Sequence, residues 1–274
     1  LESGDYDGIT SRYEYQKSLI NGLGSPEMLF LIGEAYRSLH YYHAACFLFQ
    51  EAKKYYSEIP PKLLLGLGKS LLGIYDKDAA YAVFTELAEK HASYKDFPIA
   101  CYHLGQILLN AKNYNAAEAR LKAALAGLHP DLPMPQVLTG IAYSLSGQDK
   151  HEESIPFFKR AVDILARQGV SEELYDLYIE LGEQEIMIQD FGHAAETFKA
   201  ALKIAKGLKQ PAEQEPVMFR LADCYQRIGQ ENNAMEMLKR IVEGHNSIWE
   251  KVASARINEM EIYKAVDSFK KAQL

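Results

Sequence analysis

The sequence predicts an all-α protein in which antiparallel helical hairpins stack in series into a right-handed α-solenoid. Three observations lead to this fold class. A small residue recurs at nearly regular intervals, a second small residue follows it at a set distance, and a large apolar residue follows the second one. The first small residues lie 35, 37, 35, 42 and 40 residues apart, which is typical of helical repeat proteins. They are Gly33, Gly68, Gly105, Gly140, Gly182 and Ala222.

The second helix of each unit follows one pattern. Its small residue comes twelve residues after the first, or fourteen in the fourth unit; a large apolar residue comes four later and a further residue three after that. Offsets of three and four place side chains on one helix face. The small residues are Ala45, Ala80, Ala117, Ser154, Ala194 and Ala234. The large ones are Phe49, Phe84, Leu121, Phe158, Phe198 and Leu238, followed by Ala52, Leu87, Ala124, Ala161, Ala201 and Ile241.

The segments between the two helices of a unit have the composition of tight turns. They include "NAKNYN", "MIQDFG" and "RIGQEN", and turns favour Gly, Asn and Asp. Small residues on facing helices let the pair approach closely, and the large side chain fills the space beside them. Since one hairpin cannot bury its own apolar face, the units must stack, and a slight rotation at each step gives the stack a concave face.

This pattern resembles the tetratricopeptide repeat (TPR) family over nearly the whole chain. The third unit, "CYHLGQILLNAKNYNAAEARLKAAL", carries the Leu-Gly pair, the Asn-Tyr turn and the A-x-x-x-L-x-x-A helix in register. The family's first-helix aromatic is replaced in every unit, by Leu29, Leu64, Cys101, Gln136, Tyr178 and Met218. We therefore expect one TPR solenoid over residues 1–274, with six repeats at 25–59, 60–96, 97–132, 133–173, 174–213 and 214–245.

The two ends depart from the regular pattern. Residues 1–24 resemble the second helix of a truncated repeat, with Gly4 and Tyr6 at the turn and Tyr13 as the aromatic. Residues 246–274 have Ala265 and Phe269 in the second-helix pattern. The sequence leaves two interpretations open for this C-terminal segment, which are an atypical seventh hairpin and one capping helix.

Several classes of chemistry find little support in the sequence. Gly68-Lys69-Ser70 resembles the end of a phosphate-binding loop, but Leu63 stands where that loop needs glycine. His40 and His43 have no third metal ligand nearby, and Ser154 replaces a packing alanine. We expect no catalytic residue, no metal and no cofactor. A net charge of −7 without a basic run argues against nucleic acid, and no apolar run is long enough for a membrane span.

The TPR resemblance implies that the first helix of each hairpin lines a concave groove that holds a segment of another protein. The residues one helical step before and after each small residue should point into this groove. Those predicted for the middle of the groove are largely apolar. TPR proteins that bind the C-terminal carboxylate of a partner place Lys, Asn and Arg on neighbouring first helices. Only Lys69 is present here, so we do not expect this chain to bind a C-terminal carboxylate. The predicted lining is Phe30, Glu34, Arg37, Leu65, Lys69, Leu72, Tyr102, Gln106, Leu109, Val137, Ile141, Leu145, Ile179, Glu183, Ile186, Phe219, Asp223 and Arg227.

These features predict a non-catalytic scaffold or adaptor that binds an apolar or amphipathic peptide or helical segment. The segment could come from another protein, from a part of this chain outside residues 1–274, or from a second copy of this chain. The alternative is a regulatory or adaptor domain of a larger enzyme whose catalytic part lies elsewhere. Three widely spaced cysteines without a CxxC favour free thiols and a reducing, cytoplasmic compartment, although such solenoids also function in the bacterial periplasm.

Overall fold

A computed structural model describes residues 5–23, 25–208, 214–244 and 248–272. These residues form fourteen α-helices and no strand, which confirms the predicted all-α class. The helices fall into two compact units, Leu1–Pro133 and Met134–Leu274.

The first unit contains seven helices within the described residues. They are α1 (Tyr6–Leu23), α2 (Pro26–Ser38), α3 (Tyr42–Lys53), α4 (Pro61–Gly73), α5 (Lys77–Lys90), α6 (Phe97–Asn110) and α7 (Tyr114–Ala126). Prolines at the start of α2, α4 and α6 suit the first helical turn, where a missing N–H costs nothing and the fixed φ is helical.

The second unit also contains seven described helices. They are α8 (Met134–Ser146), α9 (His151–Gln168), α10 (Glu172–Met187), α11 (Phe191–Leu208), α12 (Gln214–Arg227), α13 (Glu231–Glu243) and α14 (Ile248–Ala272). Of the two interpretations of the C-terminal segment, the described residues adopt the single helix, α14. The predicted repeat boundary after residue 173 falls inside α10, because Ser171 caps this helix by accepting a hydrogen bond from the Leu174 amide.

Consecutive helices pair as hairpins, and the hairpins follow one another in chain order. In the first unit α2 packs on α3, α4 on α5 and α6 on α7, while α3 and α5 each also contact the next hairpin. In the second unit α8 packs on α9, α10 on α11 and α12 on α13, with the same contacts between successive hairpins. This arrangement agrees with the stacked hairpins predicted from the repeat.

The first small residue of a hairpin lies directly against the large apolar residue of its second helix. A Cβ added to Gly33 would lie 2.8 Å from the Phe49 ring, and one added to Gly68 would lie 2.6 Å from the Phe84 ring. Gly182 meets Phe198 in the same way. Gly68 is therefore a packing residue, and its helix begins without any glycine-rich loop that could surround a phosphate.

The turns within the hairpins share one backbone feature. Seven residues after the small residue, or nine in the fourth hairpin, the chain adopts a positive φ between 58° and 76°. Only the last of these positions is glycine; the residues are His40, Tyr75, Lys112, Asp149, Gln189 and Gly229. The left-handed residue reverses the chain sharply enough for the second helix to pack back on the first.

At the N-terminus, α1 packs against α2. Tyr13, predicted to be the aromatic of a truncated repeat, is buried, with its ring 6.0 Å from that of Tyr36 in an edge-to-face arrangement. Gly4, predicted to be in the turn, lies outside the described residues. The assignment of residues 1–24 to the second helix of a truncated repeat stays a prediction.

The contact between small and large residues predicts a strong effect of substitution at Gly105. A Cβ there would overlap the Leu121 side chain, so Gly105→Leu should lower the free energy of unfolding by about 1–3 kcal/mol or more through overpacking. Chemical denaturation measures this loss. Gly192→Leu is the control, because the nearest atom to its added Cβ is 3.9 Å away. Equal stability of both variants would contradict the packing role.

Candidate functional site

The first unit places nine of the predicted groove residues on its first helices, α2, α4 and α6. They are partly exposed except Leu65, which is 8% exposed. The nine are Phe30, Glu34, Arg37, Leu65, Lys69, Leu72, Tyr102, Gln106 and Leu109. This face is less apolar than the sequence suggested, because Leu65 belongs to the core.

Charged side chains on this face pair with one another. Arg37 donates to the Glu34 carboxylate at 2.7 Å, and a Cβ at Gly66 would lie 2.6 Å from the same carboxylate. Gly66 thus leaves room for Glu34 to cross from α2 towards α4. Burial lowers the pKa of Lys69, and the nearby positive charge of Arg37 lowers it further. On this face Arg37 and Glu34 therefore compensate each other, whereas Lys69 lies close to the positive charge of Arg37.

His103 of α6 is half-buried beside the Tyr102 and Phe84 rings. Its ring stacks on the Phe84 ring, with centroids 5.0 Å apart and planes 18° from parallel. Burial, followed by the charge of Lys69, lowers the pKa of His103 to about 4. The imidazole is therefore neutral at pH 7 and acts as an aromatic packing residue.

His103 predicts a specific pH dependence of stability. Because its pKa in the folded protein lies below the unfolded value of about 6.5, its contribution is complete above pH 6.5 and is lost as the pH falls towards 4. Between pH 7 and pH 4 the wild-type chain should lose about 2–3 kcal/mol more of unfolding free energy than His103→Gln. Urea titrations at several pH values provide the test, and parallel curves for the two proteins would refute it.

The second unit departs most clearly from the expected lining. Val137, Ile141 and Leu145 on α8 are fully buried, so they cannot meet a partner and the expectation of an exposed apolar lining fails for them. Leu145 and Arg227 also lie five residues after their small residues, whereas the other hairpins have the lining residue at four. The residue at four on α8 is Ser144, which is buried and donates to the Gly140 carbonyl at 2.7 Å.

An open cleft of about 460 Å³ runs along α10 in the second unit. Its walls include the predicted Ile179 and Glu183, together with Tyr143 from α8 and residues from the start of α12. Asp176 and Glu180 also line it. The sequence analysis missed these two carboxylates, although their i, i+4, i+7 spacing with Glu183 would have placed all three on one helix face.

The cleft is electrostatically unfavourable for its own carboxylates. Burial raises the pKa of Glu180, and the neighbouring charges of Glu183 and Asp176 raise it further. The pKa of Tyr143 rises to about 12, through burial and then through Glu180 and Asp176. Arg220 of α12 compensates one of the three carboxylates, with its Nε 2.8 Å from Glu183.

Of the remaining predicted residues of the second unit, two contact α14. The Phe219 ring lies 5.5 Å from the Trp249 ring, and Asp223 pairs with Arg256 at 3.1 Å. Helix α14 therefore covers part of the face that α12 was expected to offer. Ile186 is half-buried and Arg227 is exposed, with its guanidinium 5.6 Å from the Phe191 ring.

The groups considered for chemistry have structural roles in the described residues. Burial raises the pKa of the Cys46 and Cys101 thiols to about 11 and that of Cys224 to about 12. Ser154 is buried and donates to the His151 carbonyl at 2.7 Å. In the ranges that the structure covers, no three His, Cys, Asp or Glu side chains form a group that could hold a metal ion.

None of the helices in the described ranges combines the length and apolar character needed to cross a bilayer.

Comparison with known proteins shows which proteins this chain resembles. Residues 217–245 match the tetratricopeptide repeat family. No curated protein has a matching sequence. The fold is similar to that of the TPR protein YrrB, with a TM-score of 0.58, 16% identity, and coverage of 76% of this chain and 97% of that one.

Two further solved structures share the fold. The C-terminal part of a TPR protein from Cytophaga hutchinsonii has a TM-score of 0.64 and 12% identity, covering 91% of this chain and 95% of that one. MamA from Desulfovibrio magneticus has a TM-score of 0.55 and 20% identity, covering 66% and 96%. The match at residues 217–245 and these TPR neighbours confirm the resemblance that the sequence pattern predicted, and the chain shares the helical repeat fold of these structures.

The cleft predicts an unusual response to charge removal. Because the pKa of Glu180 is raised in the folded state, folding favours its protonated form. This stabilisation is complete below the unfolded pKa of about 4.3 and is lost as the pH rises through the higher folded pKa. Glu180→Gln should therefore raise the melting temperature at pH 7 and raise it less at pH 4. Thermal unfolding measures both values. Glu236→Gln, at an exposed position of α13, is the control and should change neither value. A lower melting temperature for Glu180→Gln would contradict the prediction.

Proposed function

We propose that this chain is a non-catalytic scaffold that holds a segment of a partner protein against the exposed faces of its first helices. The TPR fold suggests a role in protein–protein interaction. YrrB, which shares the fold, is described as a TPR protein with an unusual peptide-binding site. The α10 cleft is the observation that carries the proposal, because it is open, extended and lined by both apolar and charged groups.

The chemistry of the cleft indicates what the partner segment carries. Asp176 and Glu180 share one wall with Ile179, and Tyr143 stands beside them. A lysine or arginine of the partner would relieve the repulsion that raises the Glu180 pKa. An adjacent apolar side chain would cover Ile179 and the ring of Tyr143. We therefore propose that the partner segment is amphipathic and basic. This chemistry is more specific than the apolar or amphipathic segment expected from the sequence.

The proposal predicts that substitution of Glu180 affects the stability of the free protein and the binding of the partner in opposite directions. A carboxylate that lowers stability in the free protein yet favours binding is typical of functional sites, where activity and stability conflict. Glu180→Gln should thus make the free protein more stable and the complex weaker. A residue that only packs would lose stability and binding together.

Selection from a library of random peptides tests the proposed partner chemistry. Peptides that bind the purified chain should be enriched in Lys and Arg next to apolar residues. Glu180→Gln and Asp176→Asn should each weaken the selected peptides about tenfold, equivalent to about 1.4 kcal/mol, and the loss should shrink at high salt. Glu236→Gln serves as the matched control and should bind as the wild type does. Selected peptides without a basic residue, or with affinities that both cleft variants retain, would overturn the proposal.

A further inference from the structure

Helix α14 packs on the second unit along its first half only. Ala253 and Met260 are buried there, and Trp249 and Ile257 pack against the same core. Every residue from 261 to 271 is exposed. With 25 residues against the 13 of α13, α14 is roughly 18 Å longer than the helix it packs on. Its second half is therefore an overhang.

The overhang carries large apolar side chains. Ile262, Val266 and Phe269 are 63%, 45% and 64% exposed. Scattered exposed apolar residues are normal, but a contiguous set on one element marks an interaction surface.

Comparison with the six hairpins shows why this exposure is anomalous. Ala265 and Phe269 repeat the spacing of the small and large residues of a second helix. In the hairpins the large residue is at most 1% exposed, at Phe49, Phe84, Leu121, Phe158, Phe198 and Leu238. The overhang thus has the sequence of a packing helix, yet its apolar face has no helix against it in the described fold.

The apolar face of the overhang continues into the first half of α14. Ile248, Val252 and Ala255 are also exposed, and the whole stripe alternates steps of four and three residues, the spacing of a helix that pairs with another helix. At 100° per residue, the centre of the stripe lies roughly 140° around the helix from the buried side. The helix can therefore contact its own unit and a second helix together. The stripe is Ile248, Val252, Ala255, Glu259, Ile262, Val266 and Phe269.

We propose that α14 pairs in antiparallel orientation with α14 of a second copy of this chain. Pairing centred between Glu259 and Ile262 sets Val252 opposite Phe269 of the second copy and Ala255 opposite Val266. Small and large residues then face each other at both ends, as they do inside each hairpin. This self-complementary order favours a second copy over an unrelated helix.

Glu259 selects the antiparallel orientation. In a parallel pair, the two Glu259 carboxylates would face each other across the stripe and repel. In the antiparallel pair, each lies opposite Ile262 of the other copy, where Arg256 holds it at the edge through a 2.7 Å contact. Arg256 then lies near Tyr263 of the second copy, a favourable cation–π arrangement.

Analytical ultracentrifugation of the full 274-residue chain tests the pairing. Concentrations from about 1 to about 200 µM span the micromolar affinity expected of a small interface. The wild-type chain should show a monomer–dimer equilibrium with a dissociation constant on the order of 10 µM. The double variant Ile262→Glu, Phe269→Glu should stay monomeric. Because both residues are exposed, its melting temperature should equal that of the wild-type chain when both are measured well below the dissociation constant. Val170→Glu removes an exposed apolar residue outside α14 and should dimerise normally. A wild-type chain that stays monomeric, or a dimer that survives the double substitution, overturns the proposal.

Disulfide trapping tests the orientation. A mixture of Val252→Cys and Phe269→Cys chains should form mixed disulfide dimers faster than either variant forms its own, since only the antiparallel pair brings these positions within the Cβ–Cβ distance of about 4 Å that a disulfide requires. The native cysteines are buried and provide a low background. Preferential self-trapping of Phe269→Cys would overturn the antiparallel pairing. Both tests are independent of peptide binding at the α10 cleft.

Discussion

The close approach of paired helices through a small residue and a facing large apolar side chain is the interaction on which the structure depends. Phe49 takes part in two such contacts. Its ring lies against Gly33 of its own hairpin, and it lies within 3.0 Å of the position that a Cβ would take at Gly66 of the next hairpin. One buried ring thus fixes both the geometry of a hairpin and the step to its successor. Repetition of this contact produces serial order without strands or long-range chain crossings.

The same packing divides every first helix into two sides with different chemistry. One side must fit the neighbouring helices, so its residues are small or apolar; the other meets solvent and is free to collect charge. On α2 the charges of Glu34 and Arg37 compensate each other. On α10 they accumulate as carboxylates and raise the Glu180 pKa. The protein tolerates the repulsion between these carboxylates because the packed side of the helix supplies the stability. A repeat scaffold can therefore carry like charges close together on its solvent-facing side.

Helix α14 shows what happens when the pattern continues without the turn. Ala265 and Phe269 have the spacing of a second helix, but Met260, Glu261 and Ile262 stand where the hairpins have turn-forming residues and a left-handed backbone. These three residues are compatible with a helix, so α14 runs straight through. The apolar side chains that a turn would have brought back onto Ala253 project outwards instead.

The sequence alone determined the helices, their pairing and the glycine–aromatic contacts, because these depend on local periodicity and on spacings of a few residues. It also placed Phe30, Glu34 and Ile179 on partly exposed first-helix faces. It did not determine the fate of Val137 and Ile141, which have the same register as Phe30 and Glu34 but are fully buried. Burial depends on how closely neighbouring elements approach, and that distance is set by the summed volumes of side chains far apart in the chain. Only the tertiary structure therefore decided which positions stay open and which carboxylates meet in the α10 cleft.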